Sequence, residues 1–336
     1  MKQAYMSLLL LVFALAGCSE TRDPGPASAT TRKPNPPAQS SQRPVADSSA
    51  QPELPRFKGT PVKITVHDPG RGDSSKAVRN ARAAFEKVER LASSRSPYYE
   101  LKIPKDNSDA FAVSAETLRV VERAVFWTQR SGGAYNCVKG GKPDNVKIGF
   151  ANRQVQLEPG CELDVSGLVI GAAVDAAARV LKQARIKCAE VEAGPVHFVM
   201  GKKESEKGSE KLQVEVVHPR RKGKVLGSLA TTDSAVVHLA DGGVYRGASV
   251  DPRDGSPVSG TLSVYTVARN AVDAQALAHA LFVMGPGDGR SLIERVPSSE
   301  ALMFSQIPDK PKELHTMITR GMQTEMKWKV KPRAGN

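Results

Sequence analysis

Apolar and polar positions change period several times along the chain, and each change marks an element. Val62, Ile64 and Val66 alternate with Lys63, Thr65 and His67, the two-residue period of a strand with one buried face. Asp73 or Ser74 then caps a helix whose Val78, Ala81, Phe85, Val88 and Ala92 recur at helical spacing. Residues 93–110 are polar and carry Pro97 and Pro104, the composition of a loop. Ser114 caps a second helix with Leu118, Val121, Val125 and Phe126 on its apolar stripe, and Gly132-Gly133 ends it. Val146–Ile148 and Val155–Leu157 predict a small hairpin.

The stretch from Leu163 to Gly194 organises the rest. A loop holding Asp164, Gly167 and Gly171 feeds an Ala- and Val-rich helix, and Ala189–Ala193 follows as a short strand. A glycine-containing turn ahead of a helix is ordinary turn chemistry in most chains. It also lets backbone approach a ligand closely and presents free N–H groups to a phosphate. Val214–Val216, Ala235–Leu239 and Thr261–Ala268 predict further strands, and Ala271–Met284 an apolar helix stopped by Gly285-Pro286-Gly287. Hairpins interleaved with helices predict an α+β domain over 59–305, with mixed or antiparallel sheets and packed helices. Beyond about Pro311 the chain turns basic and polar, which predicts a loosely attached tail over 306–336.

The N-terminal end changes where this domain is expected to sit. Lys2, the apolar run from Met6 to Ala16 and small residues before Cys18 predict an export signal over 1–18, too short to span a bilayer. Leu15-Ala16-Gly17-Cys18 resembles the bacterial lipobox, which implies cleavage before Cys18 and lipidation of its thiol. Residues 19–58 are rich in Pro, Ser, Thr and Ala, so a disordered tether is expected there. The expected location is the exported side of a cell membrane or outer membrane. The net charge is +13, and basic residues cluster in two runs, Lys202–Lys211 and Arg220–Lys224. An exported lipoprotein rarely meets nucleic acid, so these runs read as a solvated loop surface or as contacts to anionic lipid head groups. Cys137, Cys161 and Cys188 remain after Cys18, with no zinc-site spacing, and leave open one disulfide plus a free thiol or three buried thiols. His67, His197, His218 and His238 are scattered, without ligand spacing.

Four pieces stand in order: Ser131-Gly-Gly-Ala-Tyr-Asn136; Asp164-Val-Ser-Gly-Leu-Val-Ile-Gly171 followed by Asp175; Val250-Asp-Pro-Arg-Asp-Gly-Ser-Pro257; and the helix Gln275–Gly285. Together they resemble the FAD:protein FMN transferase (ApbE) family over about residues 60–300. The resemblance implies a domain that binds FAD and Mg²⁺ and moves FMN from FAD onto a Ser or Thr hydroxyl of a partner flavoprotein. It places the flavin against Ala134, Tyr135, Asn136, Asp164, Ile170, Val250 and Asp251, and the metal at the Gly167 carbonyl with Gln275 and His279.

Several positions depart from the family pattern. Its lysine falls on Ile170, its GaFD aspartate on Asn136, and the His and Thr of its third motif on Ala248 and Asp254. The metal-binding Asp and Thr fall on Gln275 and His279, which still share a helix face at i and i+4. An amide and an imidazole suit Mn²⁺ or Zn²⁺ better than Mg²⁺. The alternatives are therefore a softer metal, or a hydrogen-bonded pair filling a former metal cavity in a relative that binds flavin or a partner without transfer. Asp273, two residues before Gln275, points to a different face.

Overall fold

The computed structural model describes residues 58–330 apart from 105, 107–108, 206–207, 243–246 and 309, together with the side chains of 311 and 312. Cys18, the leader and nearly all of the expected tether lie outside the described residues.

In chain order the main elements are strand β1 (Val62–Asp68), helices α1 (Ser74–Ala92), α2 (Ala115–Arg130) and α3 (Val169–Gln183), and strands β2 (Cys188–Ala193) and β3 (Val196–Met200). Next come β4 (Leu212–Val217), β5 (Val225–Thr231), β6 (Ser234–Ala240), β7 (Thr261–Ala268) and helix α4 (Ala271–Ile293). The last are β8 (Glu300–Ile307), β9 (Lys310–Ile318), α5 (Arg320–Glu325) and β10 (Met326–Trp328). Strands β1-β2-β3-β6-β7-β8-β9 form one seven-stranded sheet, every neighbour antiparallel. The α+β expectation holds.

The local signals act as the residue types require. The Asp73 carboxylate accepts from the Lys76 N–H at 3.0 Å and opens α1, and the Ser114 hydroxyl accepts from the Thr117 N–H at 3.1 Å and opens α2. Alternation along β6 sends Ala235, Val237 and Leu239 into a core beneath α1–α4. Val236, one residue out of phase, enters a second core. That second core lies on the other face of the sheet, where β4, β5 and β10 form a small antiparallel sheet. Val216, Leu226, Leu229, Tyr265, Phe304, Met322 and Met326 fill it, and the Tyr265 hydroxyl accepts from the Val217 N–H at 3.0 Å.

Two expectations are corrected. The chain beyond Pro311 is not loosely attached: β9 is a strand of the main sheet, paired with β8 from Leu302↔Ile318 to Ile307↔Lys310. Its alternation is interrupted by lysines, which hid it. Phe126 leaves the α2 stripe and is 43% exposed, while Trp127 is 2% exposed and takes the buried position. Gly285 stops the apolar helix as expected: at φ 69° and ψ −176° it turns the chain, and a second helical segment follows it within the α4 range. The three cysteines are free and buried. Among the described residues no helix is long and apolar enough to cross a membrane.

Candidate functional site

The α3 entry is pinned from both sides. The Asp164 N–H donates to the Cys137 carbonyl at 2.8 Å. Its carboxylate accepts from the Ser166 N–H at 3.0 Å and the Lys139 ammonium at 2.8 Å. Burial pulls this acid upward, but the Lys139 and Ser166 hydrogen bonds outweigh that and hold it below the ordinary carboxylate range. Asp164 is thus ionised, with a cation already against one oxygen.

Gly167 sits one turn before α3, bracketed by two rings. A Cβ there would lie 3.3 Å from the Tyr135 Cε2 and 3.5 Å from the His279 Nε2. Tyr135 is only 6% exposed, and its hydroxyl has no hydrogen-bond partner among the described residues. Desolvation pushes that phenol far above its ordinary pKa, so it stays protonated. A buried O–H without a partner costs about 1–3 kcal/mol, so such a group points to a ligand that completes it.

Gln275 and His279 reach the same place from α4. Gln275 is 4% exposed, and its Oε1 accepts from the Gly171 N–H at 2.7 Å. His279 is pushed down to about 4 by desolvation, against a hydrogen bond to the Gly167 backbone that favours the charged ring. It is neutral at pH 7. The two helices meet so closely that a Cβ on Gly171 would lie 2.7 Å from the Ala271 carbonyl oxygen and 2.8 Å from the Gln275 Oε1.

The remaining loops close around this centre. Gly132 and Gly133 take φ of 61° and 85°, and the Ser131 hydroxyl accepts from the Tyr135 N–H at 3.0 Å, so the loop turns Ala134 and Tyr135 inward. A Cβ on Gly133 would lie 3.5 Å from the Arg253 side chain, which joins this loop to the 250–257 turn. In that turn Arg253 grips the Asp251 carboxylate through Nε at 2.9 Å and a terminal nitrogen at 2.5 Å. Val250 is exposed and bridges to Pro257. Asn136 turns its amide oxygen to the Val138 N–H at 2.9 Å. Ile170 packs on the main core.

The pattern of the ApbE family matches residues 141–303. That stretch is similar to the ApbE family. The chain's solved structural relatives include the flavin transferase ApbE from Vibrio cholerae, at 21% identity and TM-score 0.67 over 81% of this chain and 97% of that one. The ApbE protein of Thermotoga maritima aligns at 19% identity and TM-score 0.66, over 79% of this chain and 96% of its own. The apo form of the Pseudomonas stutzeri flavinyl transferase ApbE aligns at 15% identity and TM-score 0.65, over 79% and 92%. No curated protein matches the chain in sequence.

The donors at the position where the family resemblance implies a metal do not fit Mg²⁺. The set is a backbone carbonyl, an imidazole and an amide oxygen already engaged by Gly171, with no anionic oxygen among them. Asp273 is no substitute: it faces away and accepts from Arg123 at 2.9 Å and from the Trp127 indole at 2.8 Å.

Two features escaped the sequence pattern. Asp175, half-buried in α3, accepts from the Ala271 and Val272 N–H groups at 2.7 and 3.0 Å, capping α4 from a neighbouring helix. Its long-range partner left no local signal. A cavity of about 690 Å³ among α1–α4, lined by Lys87, Arg119, Arg123, Asp175 and Arg179, includes none of the residues nominated for flavin or metal.

Proposed function

We propose that this domain takes FMN from FAD and esterifies it to a Ser or Thr hydroxyl of a partner flavoprotein. The acceptor oxygen forms the new bond to the FMN phosphorus while the bond to AMP breaks, and AMP leaves with that electron pair. The carrying observation is the buried, unpartnered Tyr135 hydroxyl beside the Gly167 loop, in a domain with ApbE motifs in ApbE order. In this reading Tyr135 donates to the flavin or its phosphates, and Asp164 accepts from a ribose hydroxyl or ring N–H. Ala134, Asn136, Ile170, Val250 and Asp251 line the flavin. Gly167, Gln275 and His279 stand at the position the family gives to Mg²⁺.

A second reading is favoured by that last group: a relative that holds FAD but no longer transfers it, since Gln275 serves the Gly171 N–H and Ile170 offers no charge. FAD fluorescence titration tests the binding both readings share; no quenching up to roughly millimolar FAD, about 4 kcal/mol of affinity, overturns both. In-gel flavin fluorescence of an acceptor protein across Mg²⁺, Mn²⁺ and Zn²⁺ separates them. Labelled acceptor with the unmodified chain establishes transfer. No label with any cation, and gain of label in Gln275→Asp/His279→Thr/Ile170→Lys, establishes the holder.

The leader adds a location. We propose lipid anchoring through Cys18 on the exported side, supported by the lipobox-like sequence. Cys18→Ser should move the protein from the membrane fraction to the soluble one, and unchanged fractionation would overturn this.

A further inference from the structure

The paired strands at the β1 edge gather side chains that lie far apart in the chain. Glu190 on β2 stands between two imidazoles: the His67 Nε2 from β1 lies 2.5 Å from its Oε1, and the His197 Nε2 from β3 lies 2.5 Å from its Oε2. Glu192, two residues along β2 on the same face, pairs directly across from His197. Donor atoms of Glu190, Glu192 and His197 all lie within 4.8 Å of one another. Among the described residues Lys63 faces the group, 3.0 Å from a Glu192 oxygen and itself largely exposed. The His67, Glu190 and His197 side chains keep 19%, 15% and 21% of their surface exposed, open enough for an ion to enter and shed its water.

We propose that His67, Glu190 and His197, with Glu192 or a water as the fourth ligand, form a Zn²⁺ site on this sheet face. Zinc takes imidazole nitrogen and carboxylate oxygen at about 2.0–2.2 Å in a tetrahedron, which sets neighbouring ligand atoms about 3.3 Å apart. Glu190, Glu192 and His197 already hold their donor atoms within 4.8 Å of one another, while His67 touches only Glu190 and must swing in to join them. Three ligands come from three hydrogen-bonded strands, so the backbone frame is rigid. The register shift between Val66 and Asp68 falls at His67 and sets its direction. Imidazole nitrogens beside carboxylates also match the softer end of the divalent series, in contrast to an all-oxygen Mg²⁺ site. The site lies on the opposite sheet face from the α3 entry and is independent of the flavin reading.

The test uses full-length, chelator-stripped protein and Zn²⁺ competed against a chromophoric chelator. One zinc per chain is expected, with affinity falling about a hundredfold in His67→Gln/His197→Gln and unchanged in His279→Ala. Substitution with Co²⁺ should give the visible bands of a four-coordinate nitrogen–oxygen site without thiolate-to-cobalt charge transfer. That measurement on unmodified protein keeps the proposal testable should the double variant fail to fold. No zinc uptake, equal uptake by a folded double variant, loss of uptake in His279→Ala, or a thiolate band from Cys137, Cys161 or Cys188 would each overturn it.

Discussion

The α3 entry and the β1–β3 face hold two polar clusters built in opposite ways. At the α3 entry the backbone is what the chain pattern announces, with Gly167 and Gly171 placed for close approach, yet its polar side chains are largely turned on one another. Across the sheet no pattern announces anything, yet His67 and His197 each meet an oxygen of Glu190. Loop-and-helix sites are written in local spacing, so their architecture outlasts changes of chemistry. Sheet-face sites are written in register, so their chemistry is invisible until the strands pair.

The largest way to break the first region alone is Gly171→Val. A side chain there meets the Ala271 carbonyl and the Gln275 amide at under 3 Å, and overpacking should lower stability by about 3 kcal/mol in denaturant titration. The sheet face should keep its metal uptake below the new midpoint. An unchanged midpoint would show that α3 and α4 do not meet as closely as described. Gln275→Ala is milder. It leaves the buried Gly171 N–H without its acceptor, so a loss of about 2 kcal/mol is expected in the same titration.

Acid titration sharpens the contrast. Desolvation pushes Asp175 up to about 6, against the pull of the Ala271 and Val272 N–H groups. The folded chain therefore holds this proton where the unfolded chain has released it. Its stabilising contribution is full below about pH 4 and lost as pH rises through 6. Asp175→Asn should flatten the melting temperature over that window, and an unaltered profile would remove Asp175 as its source. The smallest effect belongs to Lys139→Ala. The ammonium is mostly exposed, so stability should change by less than about 1 kcal/mol while the freed Asp164 shifts FAD affinity; a titration insensitive to the change would place Asp164 outside the flavin site.

What was legible follows from the range of each interaction. Asp73 and Ser114 act three residues away, and their caps were read correctly from the chain. The alternation in Ala235–Leu239 showed a strand but could not show that its two faces serve two cores. Phe126 and Trp127 are neighbours of similar hydropathy, and only Asp273, 146 positions away, settles which one is buried by accepting the indole N–H. The histidines read as scattered because spacing along one strand says nothing about the strand beside it. Within the candidate site, position was readable at Gly167, Gln275 and His279, but the Arg253 grip on Asp251 and the Lys139 grip on Asp164 arise from turns that bend the chain back.

The second core is closed by the last strand described. Gly227 in β5 finds its β10 partner Trp328 only about a hundred residues later, a separation whose closure is slow on contact-order grounds. Met322 and Met326, which plug that core, are synthesised about a hundred residues after Leu226 and Leu229. A chain emerging N-terminus first would thus show Leu226 and Leu229 to its surroundings until the 322–328 segment has followed, and that segment works as the latch that ends its dependence on whatever shields those side chains in transit.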